Sequence, residues 1–178
     1  MLIREAKESD AAEIAKVQVD TWQKTYRGIV PDSYLDSLTC ENKEQYWREF
    51  LVSDETHLVF VAETEEKQIV GFAAVGQNQD AEKDFTGELY TLYLLADWQR
   101  RGIGRLLVQT AAQSLLKQQL TSMIVWVLGD NPFRAFYESL GGKYISDRYI
   151  VIGGASLLDI AYGWRDLQLL LESQRWNK

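Results

Sequence analysis

The chain has 178 residues, 46% of them hydrophobic and 25% charged, enough apolar material for the core of one domain spanning 1–178. Its 19 Lys and Arg against 26 Asp and Glu give a formal charge of −7, which argues against a general nucleic-acid binder and mildly favours a cationic partner. A lone cysteine, Cys40, excludes an intrachain disulfide and a lone histidine, His57, makes a metal centre a poor reading, so no metal is expected and the chain reads as cytoplasmic.

No apolar run nears the length that spans a bilayer, and the charged first ten residues lack the apolar stretch of a signal peptide. Leu2–Glu5 is expected as a first strand. Asp10 then resembles a helix N-cap, with Glu13 completing a capping box. That helix should run to about Gln23 and bury Ile14, Val17 and Trp22. Residues 27–31 break it, and further helices are expected over 32–38 and 42–51. His57–Glu63 and residues 69–75 are rich in β-branched and aromatic side chains, with a polar turn at 65–68 between them, and predict a hairpin. A polar loop over 77–84 leads to residues 88–95, ELYTLYLL, apolar on both faces and therefore expected as a central strand. An amphipathic helix follows over 102–119, with Ile103, Leu106, Leu107, Ala111 and Leu115 on one stripe. Met123–Leu128 reads as a strand, 132–140 as a short helix, 143–151 and 157–162 as closing strands, and 165–173 as helical. The order predicts a mixed α/β sandwich.

The most informative segment runs from Asp97 to Arg105, between the central strand and the amphipathic helix. A helix N-terminus exposes unpaired N–H groups and the positive end of a dipole. Gly102 and Gly104 remove side chains that would keep an anion at a distance, so successive amides there can cradle a phosphate or diphosphate. Arg100, Arg101 and Arg105 reverse the acidic balance locally. No P-loop string occurs. A dinucleotide fingerprint fails at its third glycine, where Leu107 stands.

At these residues the chain resembles the GNAT superfamily of N-acetyltransferases, whose signature Q/R-x-x-G-x-G/A is met by Gln99, Gly102 and Gly104. The likeness continues in Asn131, Ala135-Phe136-Tyr137 and Leu140-Gly141, in residues 22–38, and in residues 161–164. It implies a splayed sheet of six to seven strands with acetyl-CoA between the fourth and fifth. By that resemblance Leu92, Tyr93 and Leu94 bond the pantetheine arm through their backbone. The amides from Arg100 through Ile103 to Arg105 hold the diphosphate, and Asn131 touches the cofactor from the next helix. The family's usual Gly-Phe after that helix is replaced by Gly141-Gly142, which removes a local aromatic.

Acetyl transfer to an amine needs a deprotonated nucleophile, a donor for the oxyanion and a proton for the departing thiolate. No nucleophilic side chain is required. Tyr137, beside a buried stripe of Phe133, Phe136 and Leu140, is the candidate acid, with Asn131 as cap and Pro132 opening its helix. Glu88 is the candidate base. Strand alternation puts it on the face of Leu92 and Leu94, on the order of 13 Å from Leu92, so it would act through water; a solvated strand-end charge is the competing reading. Trp22, Tyr26 and Tyr34 are candidates for an aromatic acceptor wall suited to a cationic amine. A family branch that acetylates protein N-termini carries a glutamate where this chain has Trp126. A small-molecule amine or lysine side chain is therefore the preferred acceptor. A catalytically weak acyl-CoA-binding regulatory module is the alternative function. Trp164 and Trp176 suit a homodimer contact.

Overall fold

The computed structural model describes residues 1–53, 57–79 and 84–173. Strand β1 (Leu2–Glu5) leads into helices α1 (Ala11–Thr25), α2 (Asp32–Ser37) and α3 (Cys40–Ser53). Strands β2 (His57–Glu63), β3 (Ile69–Gln77) and β4 (Gly87–Leu94) follow as a meander. Helix α4 (Ile103–Lys117) crosses over to β5 (Met123–Leu128). The short α5 (Ala135–Ser139), the hairpin β6 (Lys143–Ile152) and β7 (Ala155–Trp164), and α6 (Leu167–Ser173) complete the chain. The seven strands lie in the order β1-β2-β3-β4-β5-β7-β6. Every pair is antiparallel except β4 with β5. The mixed sheet flanked by helices is the architecture expected from the sequence. No helix among the described residues is long and apolar enough to cross a membrane.

The sheet is closed at the foot of β4 and open above it. Gly87 N donates to Ser122 O at 2.9 Å, and Thr86 N to Ser122 Oγ at 2.9 Å, which clamps the two strands together. A Cβ on Gly87 would lie 2.7 Å from Leu115 Cδ1 and 3.1 Å from Ser122 O, so only glycine allows this approach. Pairing between β4 and β5 is confined to Gly87 with Met123 and Glu88 with Ile124. Beyond that point the strands diverge.

A β-bulge decides which way β4 faces. Val75 pairs with Leu89 and Ala74 with Thr91, leaving Tyr90 as the extra residue. Leu89, Leu92 and Leu94 pack toward α4, whereas Tyr90 and Tyr93 pack toward α1 and α3. Glu88, next to Leu89, therefore faces the α1 side with Tyr90. The expectation that Glu88 shares a face with Leu92 and Leu94 fails, because one inserted residue inverts the alternation.

Each side of the sheet carries its own core. One joins Leu107, Ala111 and Leu115 of α4 to Val75, Leu89, Met123 and Val125. The other joins Ile14 and Val17 of α1 and Trp47 of α3 to Val61 and Phe72. At roughly 1.5–3 kcal/mol per fully buried large apolar side chain, these two layers hold the helices on the sheet. Leu106, expected on the buried stripe, is exposed; Val108 and Ala112 take its place. Trp22 is half-buried.

Other local expectations are corrected by tertiary partners. Asp10 and Glu13 form no reciprocal cap. The Asp10 carboxylate instead accepts from Lys7 N at 2.8 Å and Arg4 Nη1 at 2.7 Å, and Glu13 accepts from Ile69 N at 2.9 Å. Helix α5 starts at Ala135, after turns over 132–134, and Phe133 is exposed. The aromatic missing at Gly142 is supplied from β7. Trp164 packs where a Gly142 Cβ would sit, 2.8 Å away, and donates its indole N–H to Leu140 O at 2.9 Å. Trp164 is thus buried within the chain and not displayed for a partner. Trp176 and residues 80–83 of the expected loop lie outside the described residues.

Candidate active site

The divergence of β4 from β5 opens a cleft of about 620 Å³. Tyr90 to Leu94 form one wall and Val125 to Leu128 the other. The turn before α4 closes one end with Arg100, Gly102, Gly104 and Arg105. Trp22 of α1 and Tyr26 just after it, with Ile150, Ile152 and Asp159 of the β6–β7 hairpin, close the other.

The turn is built for its backbone. Arg100 has φ 62° and Gly102 φ 80°, two left-handed positions either side of Arg101. For Arg100 that costs roughly 1 kcal/mol, so the surrounding structure must hold it there. Leu106 makes the first intrahelical bond of α4, to Gly102 O at 3.1 Å. The amides of Ile103 and Gly104 precede it and, like the other donors of the first turn, have no carbonyl within the helix to bond. A Cβ on Gly104 would lie 3.4 Å from the Phe136 ring, an ordinary contact, so folding alone does not require glycine there.

Several side chains of the turn are used by the fold. Gln99 Nε2 donates to Leu94 O at 3.1 Å and braces the end of β4. The Arg101 guanidinium lies 4.9 Å from the centre of the Trp98 ring, and Ile103 is buried in the core; neither side chain lines the cleft. Those two residues can offer only amides.

On β4, Leu95 N donates to Val70 O at 2.9 Å, so alternation turns the N–H and C=O of Leu94 and Leu92 away from β3 and into the gap. The backbone of Tyr93 faces β3. Its contribution to the cleft is the ring, whose hydroxyl accepts from Trp22 Nε1 at 2.8 Å.

Tyr137 lines the middle of the cleft from α5. Its hydroxyl has no hydrogen-bond partner among the described residues, while its ring packs near Phe136, Tyr162 and Trp164. Burial, with Tyr93 close by, pushes its pKa well above the usual phenol value. Burial, and then the neighbouring Tyr137, does the same for Tyr26, against the opposing bond from Asn131 Nδ2 at 2.9 Å. Asn131 Oδ1 accepts from Phe133 N at 2.8 Å, so this residue orders the turn into α5 and fixes Tyr26. Three phenols held neutral by burial, Tyr26, Tyr93 and Tyr137, therefore line the gap together.

Besides Arg101 and Ile103, two expected residues fall outside the lining. Tyr34 lies behind Trp22, ring centres 6.2 Å apart, and packs on Gly153, where a Cβ would come within 2.6 Å of Tyr34 Cβ. It supports the wall without facing the cleft. Glu88 stands at the closed foot of β4, where its carboxylate receives Gln79 N at 3.4 Å.

The sequence reading missed Asp159, Thr21 and Thr91, and treated Trp126 only as a departure. The hydroxyls of Thr21 and Thr91 and the indole N–H of Trp126 are buried polar atoms without partners among the described residues, and all three residues line this cleft. Buried unpaired polar atoms are costly, and here they gather behind one cavity. A charged residue inside the apolar run LLDIAY was the available signal for Asp159.

Comparison with known proteins agrees with this geometry. Residues 17–142 match the profile of the acetyltransferase (GNAT) family. The chain is 39% identical over 168 residues to YuaI, an uncharacterized N-acetyltransferase of Bacillus subtilis (strain 168), covering 94% of this chain and 95% of that protein. Two solved structures share the fold. PaiA N-acetyltransferase of Thermoplasma acidophilum, solved with coenzyme A, superposes with a TM-score of 0.69 at 19% identity, over 92% of this chain and 98% of that one. The acetyltransferase yncA of Salmonella typhimurium, solved with acetyl-CoA, gives 0.70 at 20% identity over 94% of each chain. The profile match and the full-length relative, on a sheet splayed beside a glycine-led helix, place this chain in the GNAT family of N-acetyltransferases.

Proposed function

We propose that the chain transfers an acetyl group from acetyl-CoA to a primary amine of a small molecule or peptide, by direct attack within a ternary complex. The observation that carries this reading is the continuity of the cleft. It runs from orphan amides at the start of α4, past an unpaired stretch of β4, to an aromatic mouth, with Tyr137 midway.

The residues present fit acetyl-CoA. The amides from Arg100 to Arg105 would hold the diphosphate, with Arg100 and Arg105 adding charge at the same end of the cleft. The backbone of Leu92 and Leu94 would bond the pantetheine amides in the manner of an added strand. Gln99, Asn131 and Tyr93 act one step back, holding Leu94, Tyr26 and Trp22 in place. Acetyl-CoA supplies an activated acyl carbon, so proximity and orientation can do much of the work.

Tyr137 keeps its proton at neutral pH, because burial disfavours the phenolate. Its pKa stays above that of a thiol, about 8.5. The hydroxyl therefore stabilises charge developing on the leaving sulfur chiefly as a hydrogen-bond donor. Full proton release to the thiolate is uphill. Glu88 is the proposed base, reaching the amine through water along the α1-facing side of the sheet. Trp22 and Tyr26 form the acceptor wall, with Tyr34 behind.

The test combines binding with turnover. Calorimetry should show acetyl-CoA binding, and Tyr137→Phe should lose turnover while keeping that affinity. Unchanged turnover would remove Tyr137 from the mechanism. A second reading, an acyl-CoA-binding module of weak activity, draws on the position of Glu88 outside the cleft lining. Clear binding of coenzyme A without turnover of any amine would favour it.

A further inference from the structure

The acceptor mouth holds a charged arrangement that the transfer chemistry above does not use. Asp159, on β7, is 4% exposed yet lines the cleft. A carboxylate removed from water needs a cation beside it. Arg148, across the hairpin on β6, takes that place, with Nε 3.3 Å from Asp159 Oδ2. The same guanidinium lies 3.7 Å from the centre of the Trp126 ring. A buried carboxylate and an indole face thus already receive one cation together, and Trp22 and Tyr26 complete an aromatic enclosure nearby.

The Arg148 side chain is 40% exposed, so it reaches this place from the solvent side. We propose that Asp159 and the face of Trp126 form a subsite for a second, non-reacting ammonium of the acceptor, with Arg148 standing in for that ammonium until the acceptor displaces it. The acceptor class is then a diamine or polyamine. This rests on the acetyl-transfer reading and deepens it.

Two physical points select the non-reacting group. A carboxylate beside an amine favours its protonated form, the opposite of what the attacking nitrogen needs. The closed foot of β4 lies beside the Gly163–Trp164 end of β7, and Tyr137 packs on Tyr162 and Trp164 there, past Asp159 along the strand, which leaves the attacking nitrogen the inner part of the cleft. An acceptor bearing a carboxylate next to its amine would instead bring a like charge against Asp159.

The experiment compares butane-1,4-diamine, butylamine and an α-amino acid as acceptors, with calorimetry for acetyl-CoA. The diamine should exceed butylamine in kcat/KM by roughly tenfold or more, mainly through KM. Asp159→Asn should abolish that preference with acetyl-CoA affinity unchanged. Arg148→Gln should lower the diamine KM, and it decides the matter if Asp159→Asn melts early. Equal use of diamine and monoamine by the parent protein overturns the subsite. So does an Arg148→Gln variant that loses only the α-amino acid, since Arg148 would then be reading a carboxylate. Turnover without diamine preference sinks this inference alone, whereas failure to bind acetyl-CoA sinks the acetyl-transfer reading beneath it as well.

Discussion

The turn that opens α4 and the mouth between α1 and the β6–β7 hairpin present different parts of the chain to the cleft. The turn is contiguous, and what it offers a ligand is mainly backbone. Its side chains serve the fold, as Gln99 on Leu94 O, Arg101 on Trp98 and Ile103 in the core illustrate. The mouth is assembled from side chains distant in sequence. Trp22 meets Tyr93 across 71 positions, and Tyr26 meets Asn131 across 105. A turn of the first kind can keep its ligand while the second kind changes partners, which is how one cofactor site can serve many acceptors.

The largest effect expected from this contrast is at Gly104. Gly104→Val adds branched atoms where the ligand must approach the amides. Loss of a few charge-assisted bonds should raise the acetyl-CoA Kd by ~10³-fold in calorimetry. The circular dichroism spectrum checks that the fold survives, and Gly104→Ala, whose Cβ meets Phe136 no closer than 3.4 Å, should weaken binding in the same direction with the spectrum unchanged. Retained affinity would mean that these amides do not hold the diphosphate. Next comes Tyr137→Phe, at the junction of the two regions, with kcat expected to fall ~100-fold and Kd for acetyl-CoA constant. Parallel loss of both would make Tyr137 a packing residue.

A smaller change is expected at Glu88. Glu88→Gln should lower kcat about tenfold and flatten the acidic limb of the kcat/KM profile. A profile that keeps its shape would leave Glu88 a strand-end charge.

The smallest effect concerns neither region and serves as the contrast to both. Arg4 bonds Asp10 at 2.7 Å and Glu63 at 2.6 Å. Arg4, then Lys67, holds the Glu63 carboxyl below its usual range. For Asp10, burial pushes upward, but the bonds from Arg4 and the Lys7 amide outweigh it and the net shift is also down. Depressed folded pKa values contribute stability that is present above the unfolded carboxylate value of about 4 and is lost as pH falls through the folded values. Arg4→Met should therefore lower Tm by a few degrees at pH 7 and soften the acid-side decline, read by calorimetric melting, with acetyl-CoA Kd unchanged.

Much of the fold could be read before the structure. The β-branched runs at 57–63 and 123–128 became strands with the expected bounds, and the stripe from Ile103 to Leu115 became α4 with a substitution at one position. The candidate site was legible where neighbours in sequence are neighbours in space: Gly102 and Gly104 imply free amides whatever else surrounds them. It was not legible at Glu88, Gly142 or Asp159.

By itself the sequence determined the strands, the long helices and the anion-ready turn, because contiguous residues set local backbone geometry and hydrophobic period. Tertiary structure alone decided the rest. The extra residue at Tyr90 turned Glu88 to the other face of β4. Trp164 came from β7 to fill the space beside Gly142. Strand register put Asp159 opposite both Leu128 and Arg148. Each depends on the pairing of distant strands, where a shift of one residue exchanges the two faces of a sheet.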